Sequence, residues 1–505
     1  MWHVDATLEG RQPPVLRMMI SGEGGTGKSK VIQTISAAFR QKGISHLLQK
    51  TAYTGIAASL IDGQTMHSLT GMSIGKKGRI SSEVRKRLQH TWAGKKYLII
   101  DECSMLGKSF LAKFANKVSC GRSETVANSD GWEDLNIILC GDFHQFPPVA
   151  LHRKETLYVP TEPNDTVVQR HIGRQIYETF ETVVLLKEQK RIYDEVWYQF
   201  LRRLRHGNVT QEDISLLRSL VLSPLNTINF DEMPWQDAFL ITPRHSVRIE
   251  WNKKAIQKTC ERNKRQLFIC PAQDRIGDHV LSAEERLQVR TSRSSKGRKG
   301  LADEIEIAIG MKVLVTYNLE TELDITNGAR GTITDIVLDP REVHQEHASV
   351  SHLRYLPKYI LVKLERTKIS NLSQLDENVI PIEPMTMSME LNKPDKSVCR
   401  SVQRTQYPIT GAYAFTDYRS QGQTIPYSLV DIGPPPRGTL SLFNLYVALS
   451  RSPGRDHIRL LRDFNDEMLL RKHDTVLLEE DKRLEHLDRQ TKEKYLATRK
   501  AREEV

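Results

Sequence analysis

Eight residues near the amino terminus constrain this chain more than any other feature. Gly22-Glu23-Gly24-Gly25-Thr26-Gly27-Lys28-Ser29 places glycine at the first and sixth positions, followed by lysine and a hydroxyl residue, the spacing of a phosphate-binding P-loop. Val15 to Ile20 before it reads as a strand. Lys28 to Gln41 after it carries Val31, Ile32, Ile35, Ala38 and Phe39 at helical spacing. Strand, glycine turn and helix, in that order, is the context such a loop needs. The glycines let successive backbone N–H groups curl around phosphate oxygens, and the helix N-terminus adds its dipole. On this reading Gly22, Gly24, Gly25, Thr26 and Gly27 form the cradle, Lys28 reaches the outer phosphates of a nucleotide, and Ser29 ligates Mg²⁺.

Cleavage, as opposed to binding, needs acidic groups beside that loop. Tyr97-Leu98-Ile99-Ile100 is an apolar run ending in Asp101-Glu102, a buried strand with two carboxylates at its tip. Strand alternation sends them in different directions. Asp101 is expected to hold Mg²⁺ through its water shell and Glu102 to act as general base on the attacking water. A third apolar run, Ile137-Ile138-Leu139-Cys140, leads into Gly141-Asp142-Phe143-His144-Gln145-Phe146-Pro147-Pro148. This turn is stiffened by two prolines and places Gln145 to sense the γ-phosphate or orient the water.

At roughly 150 residues per domain, 505 residues imply about three domains. Residues 15 to 150 alternate short apolar strands with longer polar or amphipathic stretches, the pattern of βαβ units on a parallel sheet. A second α/β series runs from Val183 past Trp197 and resumes between Tyr413 and Phe464. Between its two parts lie the β-rich runs 307–318, 328–339 and 358–365. The basic stretch 76–96 reads as a small surface insertion. The stretch 290–300, with five basic residues and no acid, reads as a loop, with nucleic-acid contact as the sharper alternative.

Lys plus Arg exceed Asp plus Glu by 73 − 62 = 11, which favours a polyanionic partner. No window offers the 18 or so apolar residues of a membrane helix. The early charges Asp5, Glu9, Arg11 and Arg17 leave no signal-peptide core. Six scattered cysteines without a CxxC pair argue against a disulfide framework or zinc ribbon, so a reducing compartment, cytosol or nucleus, is expected. His344, His347 and His352 lack regular spacing and read as a solvated loop in preference to a metal site.

Eight segments in order, "GEGGTGKS" (22–29), "TAYTGIAASLIDGQTMHSLTG" (51–71), "IIDECSM" (99–105), "GDFHQFPPV" (141–149), "LKEQKRIYD" (186–194), "NGARGTITDI" (327–336), "AFTDYRSQGQTI" (414–425) and "LYVALSRSPGRDHIRLL" (445–461), resemble the Pif family of superfamily-one 5′-to-3′ DNA helicases. The resemblance implies an α/β P-loop NTPase with two tandem RecA-like domains, the second carrying an inserted SH3-like β-barrel. The outlines it implies are 1–180 for the first domain, with a small insertion at about 72–96. The second domain takes 181–310 with 401–470, the barrel 311–400, and a charged helical tail 471–505. It also implies a monomeric ATP- and Mg²⁺-dependent motor that moves 5′-to-3′ on single-stranded DNA and opens tailed or forked duplexes. Its setting would be DNA repair, recombination or telomere maintenance, in the nucleus with the mitochondrion as the second compartment.

Residue by residue, the resemblance makes Arg191 and Arg451 the arginines that reach the γ-phosphate from the second domain, with Gln421 in the same cleft. Thr54, Gly55, Thr65 and His67, with Thr416, Arg419 and Ser420, match segments lining the single-strand channel. Two departures stand out. The glutamine that the family carries upstream of its P-loop has no counterpart, because Gln12 lies too near Gly22, which reads as a shortened copy. The family's His-Lys before "SQG" is Tyr418-Arg419 here, which keeps the charge and changes its geometry. The "PPVLRMMISGEGGTGKSKVI" stretch also resembles the helicase half of Helitron transposons. The alternative to a working motor is therefore a truncated, transposon-derived nucleotide-binding protein that does not unwind. A sequence-specific DNA-binding protein ranks below both, for want of a recognition helix or zinc finger.

Overall fold

Tyr97–Asp101 and Asn136–Gly141 are buried at every position. Only strands covered on both faces tolerate that, and their near-continuous apolar sequence follows from it. In the computed structural model, which describes residues 2–503 apart from 72–80, 123–131, 133, 150, 225, 278, 292–299, 321, 322, 324, 344–347, 369–371, 393–398, 436 and 437, they are central strands of a parallel sheet. Its members in chain order are β1 (Arg17–Gly22), β2 (Leu48–Ala52), β3 (Gln64–Thr65), β4 (Tyr97–Asp101), β5 (Asn136–Gly141) and β6 (Thr182–Leu186). Their spatial order is β3-β2-β4-β5-β1-β6, parallel throughout. Since β4, β5 and β1 are neighbours pointing the same way, the segments that follow them emerge side by side: Glu102, Asp142 to Gln145, and the glycine loop. This is the crevice at the carboxyl ends of the strands where open α/β sheets bind ligands.

Alternation along the strands builds two cores. Met19, Leu98, Ile100, Ile137, Leu139 and Val183 face one side with Phe114, Trp132 and Tyr177. Ile20, Ile99, Ile138 and Cys140 face the other with Ile32, Ala57, Ala58 and Ile61. Full burial of each such side chain is worth about 1.5–3 kcal/mol. The helix Lys28–Gln41 has the expected bounds and buries Ile32, Ser36 and Phe39. Phe39 packs with Val4, Ile44, Leu47 and Tyr97.

By its internal contacts the chain divides into two compact units, 1–244 with 416–505, and 245–415. The first also holds the parallel strands Phe239–Ile241, Ser428–Val430 and Ile458–Leu460 and the helix Leu442–Leu449. The charged helix expected in the tail is present over Thr475–Glu503, and it is docked on the sheet. Leu477 and Leu484 join the main core. On β6, the N–H groups of Val183 and Leu185 donate to Thr491 Oγ1 (3.0 Å) and Asp488 Oδ1 (2.9 Å), which satisfies an otherwise open sheet edge.

The second unit is β-rich over a wider stretch than 311–400. Its five-stranded antiparallel sheet runs Val379–Ile382, Tyr359–Leu364, Arg330–Val337, Lys312–Val315, Ile409–Gly411. Further strands lie at Leu267–Pro271, Gln273–Ile276, Glu304–Ile307 and Cys399–Gln406. The core of this unit is Val313, Ile333, Ile360, Val362 and Ile380 with their neighbours. Gln273–Ile276 carries no apolar run because its buried position is Asp274, which accepts from the buried Arg404 guanidinium through both oxygens (2.7 Å each).

Among the described residues no helix is long and apolar enough to cross a membrane. Among the same residues no group of three or more His, Cys, Asp or Glu gathers as for a metal. His344 and His347 lie outside the described residues, as do 292–299 of the basic loop and 72–80 of the small insertion.

Candidate active site

The glycine loop is shaped from beneath. A Cβ on Gly22 would lie 2.6 Å from Thr26 Oγ1 and 2.8 Å from the Leu186 carbonyl oxygen, so only glycine closes β1 here. Gly27 turns at φ 92° directly into the helix, a left-handed conformation that glycine adopts freely. Thr26 Oγ1 donates to the Glu23 carbonyl oxygen (2.9 Å), and the Lys28 amine donates to the carbonyl oxygens of Gly22 (2.6 Å) and Glu23 (3.1 Å). Gly22 and Thr26 therefore build the loop. Gly24, Gly25, Gly27, Lys28 and Ser29 face a cavity of about 650 Å³ that Asp101, Glu102, Gln145, Arg191 and Arg451 also line, a volume suited to a nucleotide-sized ligand.

Three polar groups converge on Gly24. Its missing Cβ would sit 3.0 Å from Arg451 Nη2, 3.4 Å from Arg191 Nη1 and 3.6 Å from Gln145 Nε2. Arg451 is fully buried and donates to the carbonyl oxygens of Val447 (2.7 Å) and Gln423 (3.1 Å) and to Ser450 Oγ (2.8 Å). Arg191 Nε donates to Thr424 Oγ1 (2.9 Å) and Nη1 to the Ser450 carbonyl oxygen (3.1 Å). Burial lowers the proton affinity of both guanidinium groups, and for Arg191 the like charge of Arg451 adds to it. Partly or fully buried cations held by neutral acceptors are an electrostatic demand for an anion.

The carboxylates stand opposite. Glu102 takes φ 54° as the chain leaves β4, a left-handed turn that costs a non-glycine residue about 1 kcal/mol. Burial, and then the charge on Glu102, push the Asp101 carboxyl up to about 7. Burial likewise raises Glu102, opposed by the nearby Lys28 charge and by Gln421, whose Nε2 donates to Glu102 Oε2 (2.7 Å). Gln421 thus reaches the site through Glu102, and its own Oε1 is buried without a partner. Excess carboxylate charge at Asp101 and excess guanidinium charge at Arg191 and Arg451 fit a metal at one end of a polyphosphate and its terminal phosphate at the other.

Sequence reasoning did not find the rings of the same cavity. Tyr193, Tyr427 and His457 line it with Lys30, Pro426 and Pro453. The Tyr427 and His457 rings are 4.7 Å apart, and Tyr193 Oη lies 2.9 Å from His457 Nε2. Such faces can stack on a base. Tyr193 and His457 stand inside matched segments, but nothing in their spacing marks them.

The residues expected on a DNA strand lie away from this cavity. Thr54 and Thr65 cap the helices Gly55–Leu60 and Met66–Thr70, accepting from Ala57 N (3.2 Å) and Ser68 N (3.1 Å). Gly55 is the first residue of the former helix. The Ser420 hydroxyl is buried and donates to the Asp417 carbonyl oxygen (2.6 Å). Thr416 and Arg419 are partly exposed, and burial lowers the proton affinity of Arg419. His67, also lowered by burial, packs on Phe110 (4.9 Å) and Tyr53 (5.7 Å). Tyr53 packs against Met105, Phe146 and Val447, and Phe146 stacks on half-exposed Tyr418 (4.1 Å, 20°). An aromatic seam, unmarked in the sequence, thus joins the two groups beside Gln145.

Comparison with known proteins finds likenesses over the segment that carries the glycine loop, Asp101, Glu102 and Gln145. The PIF1-like helicase family model matches residues 12–212. "ATP-dependent DNA helicase PIF1" of Danio rerio is 24% identical over 488 residues, covering 96% of this chain and 63% of that protein. "ATP-dependent DNA helicase RRM3" of Saccharomyces cerevisiae is 25% identical over 490 residues, covering 87% and 62%. The chain spans about three fifths of the length of these curated relatives. Among solved structures, the Pif1 helicase of Candida albicans aligns at TM-score 0.65 and 21% identity, covering 96% of this chain and 98% of that one. The Bacteroides Pif1 helicase in complex with ADP-AlF3 and ssDNA aligns at 0.60 and 18%, covering 95% and 96%. These likenesses carry the fold.

Proposed function

We propose that this chain, whose residues 12–212 match the PIF1-like helicase family model, is an ATP-hydrolysing DNA motor. The observation that carries the reading is the convergence of Arg451, Arg191 and Gln145 on Gly24 of the phosphate loop, with Asp101 and Glu102 in the same cavity.

The residues divide the work as their chemistry allows. The loop N–H groups and Lys28 grip the phosphates, and Lys28 exchanges its loop carbonyls for phosphate oxygens. Ser29 and Asp101 would hold Mg²⁺, which neutralises phosphate charge when bound. Glu102, kept in place by Gln421, accepts the proton of the attacking water. Gln145 orients that water or senses the γ-phosphate. Arg191 and Arg451 neutralise the charge that develops on the transferred phosphoryl group, a role worth about 10³–10⁵ in rate. Both arginines are anchored on the segments 420–424 and 447–450. Arrival and departure of the γ-phosphate therefore pull on the strand-contact segment of Arg419 and Tyr418.

The motor is further proposed to move 5′-to-3′ on single-stranded DNA, as a monomer, and to open tailed or forked duplexes. Its setting would be repair, recombination or telomere maintenance in the nucleus. Support comes from the net charge of +11, from the neighbour solved with ssDNA and from the family's habit. Separation of strands on a 5′-tailed duplex, and none on a 3′-tailed or blunt one, is expected. Opening of the 3′-tailed duplex alone would reverse the polarity, and opening of neither would leave an ATPase without helicase action.

A further inference from the structure

Arg205, the last residue of the helix Glu195–Arg205, is buried and does not line the nucleotide cavity. Its guanidinium nevertheless touches three parts of the site. Nη1 lies 2.6 Å from Asp142 Oδ1 and 2.7 Å from Oδ2. Nε lies 3.8 Å from Glu23 Oε1 in the glycine loop. The group stands 5.6 Å over the ring of Tyr446, in the helix that precedes Arg451. Asp142 in turn accepts from Gln145 Nε2 (3.1 Å) and from the His144 backbone N–H (3.1 Å).

We propose that Arg205 is a positioning residue for ATP hydrolysis, holding Asp142 as a fixed, ionised acceptor that sets the orientation of the Gln145 amide. The inference rests on reading the cavity as an ATPase site. A glutamine amide offers two N–H donors and one carbonyl acceptor. With one N–H committed to Asp142, the amide cannot flip, and Nε2 is held 3.6 Å from the Cβ position of Gly24, where the γ-phosphate end of a nucleotide belongs. A protonated Asp142 would be a donor, and the amide would turn to offer its carbonyl in exchange. The charge on Asp142 therefore decides which face Gln145 presents. Burial alone pushes that carboxyl up, but the Arg205 charge, with Lys28 and His144, overcomes it and holds Asp142 at about 2. The contacts to Glu23 and Tyr446 register the same guanidinium against the glycine loop and against the helix that leads to Arg451.

The test is steady-state ATP hydrolysis by the full chain with saturating single-stranded DNA. The proteins are the wild type, Arg205→Gln, Arg205→Lys, Asp142→Asn and the double variant Arg205→Gln with Asp142→Asn. Arg205→Gln is expected to lower kcat about 10²-fold, as a misplaced catalytic group does, with KM for ATP within about twofold, because nothing that binds nucleotide is removed. Arg205→Lys should recover part of the loss. The double variant should be no slower than the slower single, since both act through one amide. A rise in KM with kcat unchanged, or losses that multiply in the double variant, would overturn the inference. Should Arg205→Gln fail to fold, Asp142→Asn, which removes charge without volume, decides alone. A lowered kcat at constant KM supports the proposal, and an unchanged kcat overturns it. A wild-type chain that hydrolyses no ATP overturns the functional reading itself and takes this inference with it.

Discussion

Asp101 shows how a single residue binds function to stability. Burial and the neighbouring Glu102 charge push its carboxyl from an ordinary 3.8 to about 7. Between those values the folded chain keeps a proton that the unfolded chain has lost, so metal-free stability falls as pH rises and levels off above about 7. A divalent cation needs the ionised form and competes with that proton. Thermal melts in chelator should lose stability between about pH 5 and about pH 7, and added Mg²⁺ should raise the midpoint more at the upper end. An Mg²⁺ shift of equal size across that range would show that Asp101 is not where the metal acts. Arg451 makes a second case. Its guanidinium is fully buried among carbonyl groups, so Arg451→Ala should cut kcat by about 10³-fold or more while ATP still binds, as read by turnover beside equilibrium nucleotide titration. Normal turnover in that variant would remove Arg451 from the site. The sequence made both residues legible for different reasons. Asp101 ends an apolar run beside a phosphate loop, whereas Arg451 was named only through family resemblance. Tyr193, Tyr427 and His457 carry no such mark, because rings that line a cavity look like rings in any core.

At the scale of elements, legibility followed locality. The strand, loop and helix around the glycine loop, and the strands β4 and β5, are written in short uninterrupted patterns, and each formed where those patterns lie. The helix Thr475–Glu503 was legible as a charged helix but not as part of the core. Its partners are more than 300 residues away: Asp481 with His144 (2.7 Å), Glu480 with Tyr177, and Asp488 with the edge of β6 (2.9 Å). Local sequence cannot announce contacts of that span. Leu484, 3% exposed, tests the point. Leu484→Ala should cost about 2–5 kcal/mol, as other large-to-small changes in packed cores do, read as a lowered denaturant midpoint with an unchanged slope. A cost under about 0.5 kcal/mol, the usual ceiling for surface changes, would mean that the helix is an appendage. Threonines 54 and 65 teach the converse. Each was singled out through family likeness, and each hydroxyl serves its own helix N-terminus, the commonest use of that residue type before a helix.

For the whole molecule, the first unit brings the glycine loop and residues more than 400 positions later into one cavity, while residues 245–415 form a β-rich unit of their own. Arginines anchored on late segments and aimed at the early glycine loop are placed to pass nucleotide state to those segments. The central claim is therefore coupling: phosphate chemistry tied to a DNA strand through one cleft. Steady-state ATP hydrolysis with Mg²⁺, measured with and without single-stranded DNA for the wild type and Lys28→Ala, tests it most directly. Turnover should rise at least about tenfold with DNA and disappear in Lys28→Ala, which removes the amine proposed to grip the phosphates. Turnover indifferent to DNA, or surviving in Lys28→Ala, would contradict it.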